Sequence, residues 1–130
     1  MLEPIFSPLI ALIGPFLLWP IEIFLPYPFI FEELLKLILV LCIISIEPLR
    51  SRLGAGIGLG LLFTASETIL YTMNALSGSP SYLLERFVVT GLLHSATIVC
   101  IILGLRRGRV GMVIGVLLSM GIHYAYNILI

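Results

Sequence analysis

Three ionisable residues, Glu32, Glu33 and Lys36, stand inside an apolar stretch that runs from Pro28 to Ile46. A charged side chain near mid-membrane costs roughly 2.5–3.5 kcal/mol on insertion scales, so three in one helix need partners or a task. Glu32 and Lys36 are four residues apart and Glu33 and Lys36 three apart, which puts them on one broad helix face where they can pair. Further along, Phe63, Glu67 and Tyr71 form a ladder of four-residue steps, and Arg86, Thr90 and His94 form another. In the last apolar run Gly111, Gly115, Ser119, His123 and Asn127 recur at every fourth residue, a narrow small-and-polar stripe expected to be buried against protein.

These residue types make a hydrolytic site if the helices bring them together. Glu32 is the candidate general base toward a water, with Glu33 and Lys36 to orient and balance it. Glu67 and His94 would hold the water or shuttle the proton, and His123 and Asn127 would donate hydrogen bonds to the developing oxyanion. Arg86, near the outer end of its helix, either supports the site or meets lipid headgroups. Zinc is a variant: Glu32, Glu67, His94 and His123 supply two carboxylates and two imidazoles, although no HExxH spacing is present. Otherwise no cofactor is expected. Two readings from other classes use the same groups. In a small proton-coupled transporter they would load and release protons, and in a non-catalytic scaffold subunit they would hydrogen-bond between helices.

The rest of the chain says where such a site would sit. With 130 residues, 60% of them apolar, 11% charged and a mean hydropathy of +1.20, the sequence is that of one integral membrane domain covering residues 1–130. Seven basic residues balance seven acidic ones and no basic run occurs, so nucleic acid is not an expected partner; the bilayer is. Cys42 and Cys100 lie within apolar runs and read as packing residues. Residues 1–27 have no basic n-region and continue past signal-peptide length, so they are expected to stay in the mature protein.

The fold class follows as an all-α polytopic bundle of four to five transmembrane helices. Residues 5–25 form a proline-interrupted segment, broken by Pro8, Pro15 and Pro20, that either spans or dips and returns. Helices are expected over 29–46, 53–76, 82–105 and 110–130. A polar turn is expected over Glu47 to Arg52 and a loop over Ser77 to Ser81. Gly54, Gly56, Gly58 and Gly60 predict close helix contact. Arg50, Arg52, Arg106, Arg107 and Arg109 fall on one side of such a bundle; the positive-inside tendency makes that side cytoplasmic and puts the C-terminus outside.

The ordered set Glu32-Glu33-x-x-Lys36, Phe63-x-x-x-Glu67-x-x-x-Tyr71, His94 and His123-x-x-x-Asn127 resembles the PrsW family of intramembrane proteases, related to the type II CAAX prenyl endopeptidases. The resemblance spans residues 32–127, and the set is far more specific than any one piece. It implies a glutamic-type endopeptidase of a prokaryotic cell membrane that cuts a membrane-anchored protein or peptide. The sequence departs from the pattern at Thr64, where glycine is frequent, and is shorter than many members. The short length is compatible with a minimal protease or a homo-oligomer. Related folds also serve as non-catalytic subunits.

Overall fold

The structure, a computed structural model, describes residues 4–75 and 79–129. Five α-helices follow a 3-10 turn at Pro4–Phe6: α1 (Ser7–Glu22), α2 (Pro28–Cys42), α3 (Leu49–Ala75), α4 (Pro80–Leu105) and α5 (Gly108–Leu129). No strand occurs among the described residues.

Four stretches, Pro4–Glu22, Leu49–Asn74, Pro80–Leu105 and Gly108–Leu129, are long and apolar enough to cross a bilayer. Large apolar side chains such as Leu17, Leu92 and Leu117 point outward, as lipid-facing residues do and core residues of a soluble bundle do not. The chain is a multi-pass membrane helix bundle.

The first segment is helical through its prolines. Pro8 sits in the first turn, where its missing N–H costs nothing, and Pro15 and Pro20 each remove one helix bond without ending α1. The second helix differs from the expected 29–46. It stops at Cys42, where the Ile43 N–H is shared between the Leu39 and Val40 carbonyls and the chain turns toward Pro48. Fifteen residues make about 22 Å, so α2 falls short of spanning length, and α1, at 16 residues, reaches it only with the 3-10 turn before it.

The other boundaries shift for identifiable reasons. Helix α3 starts at Leu49, four residues before the expected start, so Arg50 and Arg52 belong to its first turn and not to a loop. Arg52 secures the preceding turn by donating to the Ile46 carbonyl and the Glu47 carboxylate. Helix α4 starts at Pro80, capped by Ser79, whose hydroxyl accepts from the Tyr82 N–H at 3.2 Å. Pro80 and Ser81 are therefore helical. The rest of the expected loop, Ser77 and Gly78, lies outside the described residues, as do Leu76 and Ile130 at the expected helix ends. Gly108, at φ +82°, turns the chain from α4 into α5.

Each helix packs against two neighbours in a closed ring, α1–α2–α5–α4–α3–α1, and α2 also leans on α4. Helices consecutive in sequence run in opposite directions, so α1 and α3 lie parallel: Pro4, Ser7 and Pro8 share a cavity with Ile43 and Ile46, while Phe29 stacks on Tyr124 near the other end. All five turn arginines therefore lie at one end. Glycine allows the closest approaches. A Cβ on Gly60 would lie 2.8 Å from the Ser95 backbone, and one on Gly115 would lie 2.8 Å from the Cys100 carbonyl. Gly54 and Gly58 face open space, so only the Gly56 and Gly60 half of the expected contact forms. Leu39, Val40, Phe63, Ile98 and Ile101 fill the core, and Cys42 and Cys100 are free thiols.

Candidate functional site

The polar faces of α2, α3, α4 and α5 meet. Their meeting point lies near the end opposite the arginines, at a different distance from each helix terminus. It is about 6 Å along α2 from Pro28 to Glu32, about 12 Å along α3 from Glu67 to Ala75, and about 9 Å along α5 from His123 to Leu129. From Pro80 to His94 along α4 it is about 21 Å.

Two histidine–carboxylate pairs make up the cluster. In the inner pair, His123 Nδ1 lies 2.8 Å from Glu33 Oε1, and Lys36 Nζ donates to the same oxygen at 2.5 Å. Lys36 also donates to Thr97 Oγ1 at 3.2 Å, and its ammonium lies 5.4 Å from the centre of the Phe63 ring. Glu33 and Lys36 are fully buried. The outer pair joins His94 Nε2 to Glu67 Oε2 at 2.6 Å, and the other oxygen of Glu67 accepts from Arg86 at 2.7 Å. Here Glu67 and Arg86 are partly exposed. The Tyr71 ring lies 4.2 Å from the guanidinium, so the Glu67–Tyr71 step of the ladder holds both partners of the Arg86 contact.

The two imidazoles face each other edge to face, 5.6 Å between centroids. Phe63 packs on His94 and Phe29 on His123. Glu32 completes the group, its Oε2 lying 3.7 Å from His123 Nε2. That separation is too long for a hydrogen bond and short enough for both atoms to hold one water. Glu32, His94 and His123 each present a ligating atom within 4.8 Å of the others.

Several polar atoms here have no protein partner: Glu32 Oε2, Glu33 Oε2 and His94 Nδ1 are all buried and unpaired. Buried polar atoms are normally satisfied, so three unpaired ones in one cluster single it out as the candidate functional site. Charge counting agrees. Glu32, Glu33 and Glu67, with Glu22 of α1 close enough to act on Glu32 and Glu67, outnumber the two fixed cations Lys36 and Arg86 and leave negative charge to be balanced.

Seven of the eight site residues named from the sequence, Glu32, Glu33, Lys36, Glu67, Arg86, His94 and His123, belong to this one network. Asn127 lies apart from it. One turn beyond His123, it is exposed and lines a cavity of about 280 Å³ with Tyr82, Glu85, Arg86, Val89 and Tyr126. Gly111, Gly115, Ser119 and His123 of the expected stripe are buried; Asn127, in the last turns of α5, faces the polar cavity beside α4 and not the cluster.

Thr97 was not among the sequence candidates. It ties α4 to Lys36 through its hydroxyl, and its carbonyl accepts from Ser119 on α5 at 2.9 Å. Its position three residues after His94, on the same helix face, was the available signal.

Comparison with known proteins adds no name to this arrangement: no family model, curated protein or solved structure matches the chain. The functional reading rests on the site's geometry.

Proposed function

We propose that the chain is an intramembrane endopeptidase that hydrolyses peptide bonds of membrane-anchored substrates with a glutamate-activated water, as the resemblance to the PrsW family implies. The observation that supports this reading is the convergence of Glu32, His94 and His123, from three helices, on one point with unpaired polar atoms around it. A carboxylate and imidazoles brought together, with two of their atoms at a separation that one water can bridge, are what base-catalysed hydrolysis requires.

The chemistry follows from who holds whom. A water between Glu32 Oε2 and His123 Nε2 loses its proton to Glu32 as its oxygen attacks the scissile carbonyl. One proton held in the cluster offsets part of the surplus negative charge. On His123 it makes both ring nitrogens donors, Nδ1 to Glu33 and Nε2 toward the forming oxyanion. Lys36 fixes Glu33 and therefore the plane of the His123 ring. Glu67, itself held by Arg86, orients His94, whose free Nδ1 can take the proton on to the leaving amine. The arginine-rich end is cytoplasmic on this reading, which puts the cluster in the outer half of the bilayer.

The direct test is turnover by reconstituted protein. Glu32→Gln keeps the shape and removes the base, and should lower cleavage by about a hundredfold or more. Full turnover by that variant would overturn the assignment.

One observation favours a metal-dependent form of the same hydrolysis. If His94 Nε2 and His123 Nδ1 donate to their carboxylates, each imidazole keeps one acceptor nitrogen, and ligating atoms of Glu32, His94 and His123 lie within 4.8 Å of one another. Two imidazoles oriented by carboxylates, with a third oxygen ligand, are a donor set that fits zinc. Glu32, His94 and His123 would hold the ion, Glu33 and Glu67 would orient the imidazoles, and the ion would supply Lewis-acid activation of water. Cleavage by protein shown to be metal-free removes this form and leaves the one without an ion.

A further inference from the structure

Hydrolysis within a bilayer requires more than an activated water. In a substrate helix each carbonyl and N–H is engaged with its own chain, so the bond to be cut must first be unwound. In apolar surroundings every freed group then costs several kcal/mol until it finds a partner. A protease of this kind therefore needs a polar surface, adjoining the reacting atoms, that satisfies both C=O and N–H.

We propose that the cavity beside Arg86 is that surface: a subsite for an unwound stretch of substrate main chain next to the scissile bond. The proposal rests on the hydrolytic reading and says how the substrate is held. The cavity lies between the first turns of α4 and the last turns of α5. Its lining offers donors in the Arg86 guanidinium, the Asn127 amide and the Tyr82 and Tyr126 hydroxyls, and acceptors in the Glu85 carboxylate and the Asn127 carbonyl oxygen. The groove between α3 and α4, lined by Ile57, Leu61, Val88 and Leu92, is hydrocarbon almost throughout and offers a peptide group nothing comparable.

Arg86 connects this cavity to the site. One guanidinium nitrogen is spent on Glu67, which holds His94, while Nε is buried without a partner. Tyr71 lies against the guanidinium, and its hydroxyl is 3.3 Å from that of Tyr82 on the cavity wall, so the fork is fixed in direction. A main chain in the cavity is one side chain away from the His94–Glu67 pair. Charge narrows the occupant further. Glu85 opposes a free carboxylate, whereas a neutral main chain presents an acceptor for Arg86 and Asn127 and a donor for Glu85 and Asn127. Asn127, outside the catalytic cluster, acquires a binding role.

The substrates this subsite suits carry helix-breaking residues at the membrane boundary. The probe is a synthetic single-span peptide, leucine-rich, with either Gly-Pro or Leu-Leu at the boundary on the site's side. The wild-type protein should cleave the Gly-Pro peptide at least about tenfold more efficiently, and Asn127→Ala and Glu85→Ala should each raise KM about tenfold with little change in kcat. Tyr82→benzoylphenylalanine should cross-link the Gly-Pro peptide in phospholipid-free detergent, which reports binding without cleavage. An unchanged KM in both variants, or a cross-link to phospholipid with none to peptide, overturns the proposal; the latter assigns the cavity to a zwitterionic headgroup. Cross-linking of a peptide that is never cut supports the subsite and overturns the hydrolytic reading instead.

Discussion

The two histidine–carboxylate pairs carry the same chemistry in different surroundings. In each, a glutamate bridges an imidazole and a fixed cation: Glu33 between His123 and Lys36, Glu67 between His94 and Arg86. Glu33 and Lys36 have side-chain exposures of 0% each, against 25% for Glu67 and 21% for Arg86. A pair with no contact with solvent cannot replace a lost partner with water, so it behaves as a fixed strut. The outer pair can exchange partners and tolerate charge movement. The difference teaches that burial makes one carboxylate–cation pair a fixed support for its imidazole and leaves the other open to exchange.

The sharpest way to break this comparison is to remove one cation from each pair. Lys36→Met leaves Glu33 buried and uncompensated and should destabilise the folded protein by about 3–5 kcal/mol. Arg86→Met, where Glu67 is partly exposed and keeps His94, should cost about 1–2 kcal/mol. Equal losses on thermal or denaturant unfolding in one detergent would show that burial does not separate the pairs. Next comes compensation. Glu33→Gln combined with Lys36→Met removes both charges, and should restore at least about 1–2 kcal/mol of the loss, because the larger part of it is the unpaired carboxylate. Thr97→Val tests the inner strut from α4 and should cost about 1 kcal/mol, since Lys36 keeps Glu33. The smallest effect is ionic. Raising salt from 0.15 to 1 M should weaken the Glu67–Arg86 coupling in a double-mutant cycle by a few tenths of a kcal/mol and leave the Glu33–Lys36 coupling unchanged.

Much of this site was legible because hydrocarbon makes polar residues conspicuous. Glu32, Glu33, Lys36, Glu67, His94 and His123 stood out by their cost, and four-residue spacing told which face each helix turns inward. Asn127 shared the spacing of His123 and not its environment. Periodicity gives a residue's face and says nothing about whether that face meets packed side chains or an open cavity, as Asn127 does beside Tyr82, Glu85 and Arg86. The end of α2 was hidden for a related reason: residues Ile43 to Ile46 continue the apolar run without a glycine or proline, and the helix ends through a turn set by Pro48 and Arg52. Thr97 was invisible as a site residue because threonine is unremarkable in a membrane helix until a lysine is found beside it.

The short second helix has a consequence for the bilayer itself. A helix of about 22 Å set among spans made for a hydrocarbon layer of about 30 Å is a case of hydrophobic mismatch. The shortfall lies at the arginine end, where the chain covers the remaining depth as an apolar turn through Ile43 to Ile46, so any adjustment of the bilayer falls there and not beside Glu32, which keeps its depth near the other end.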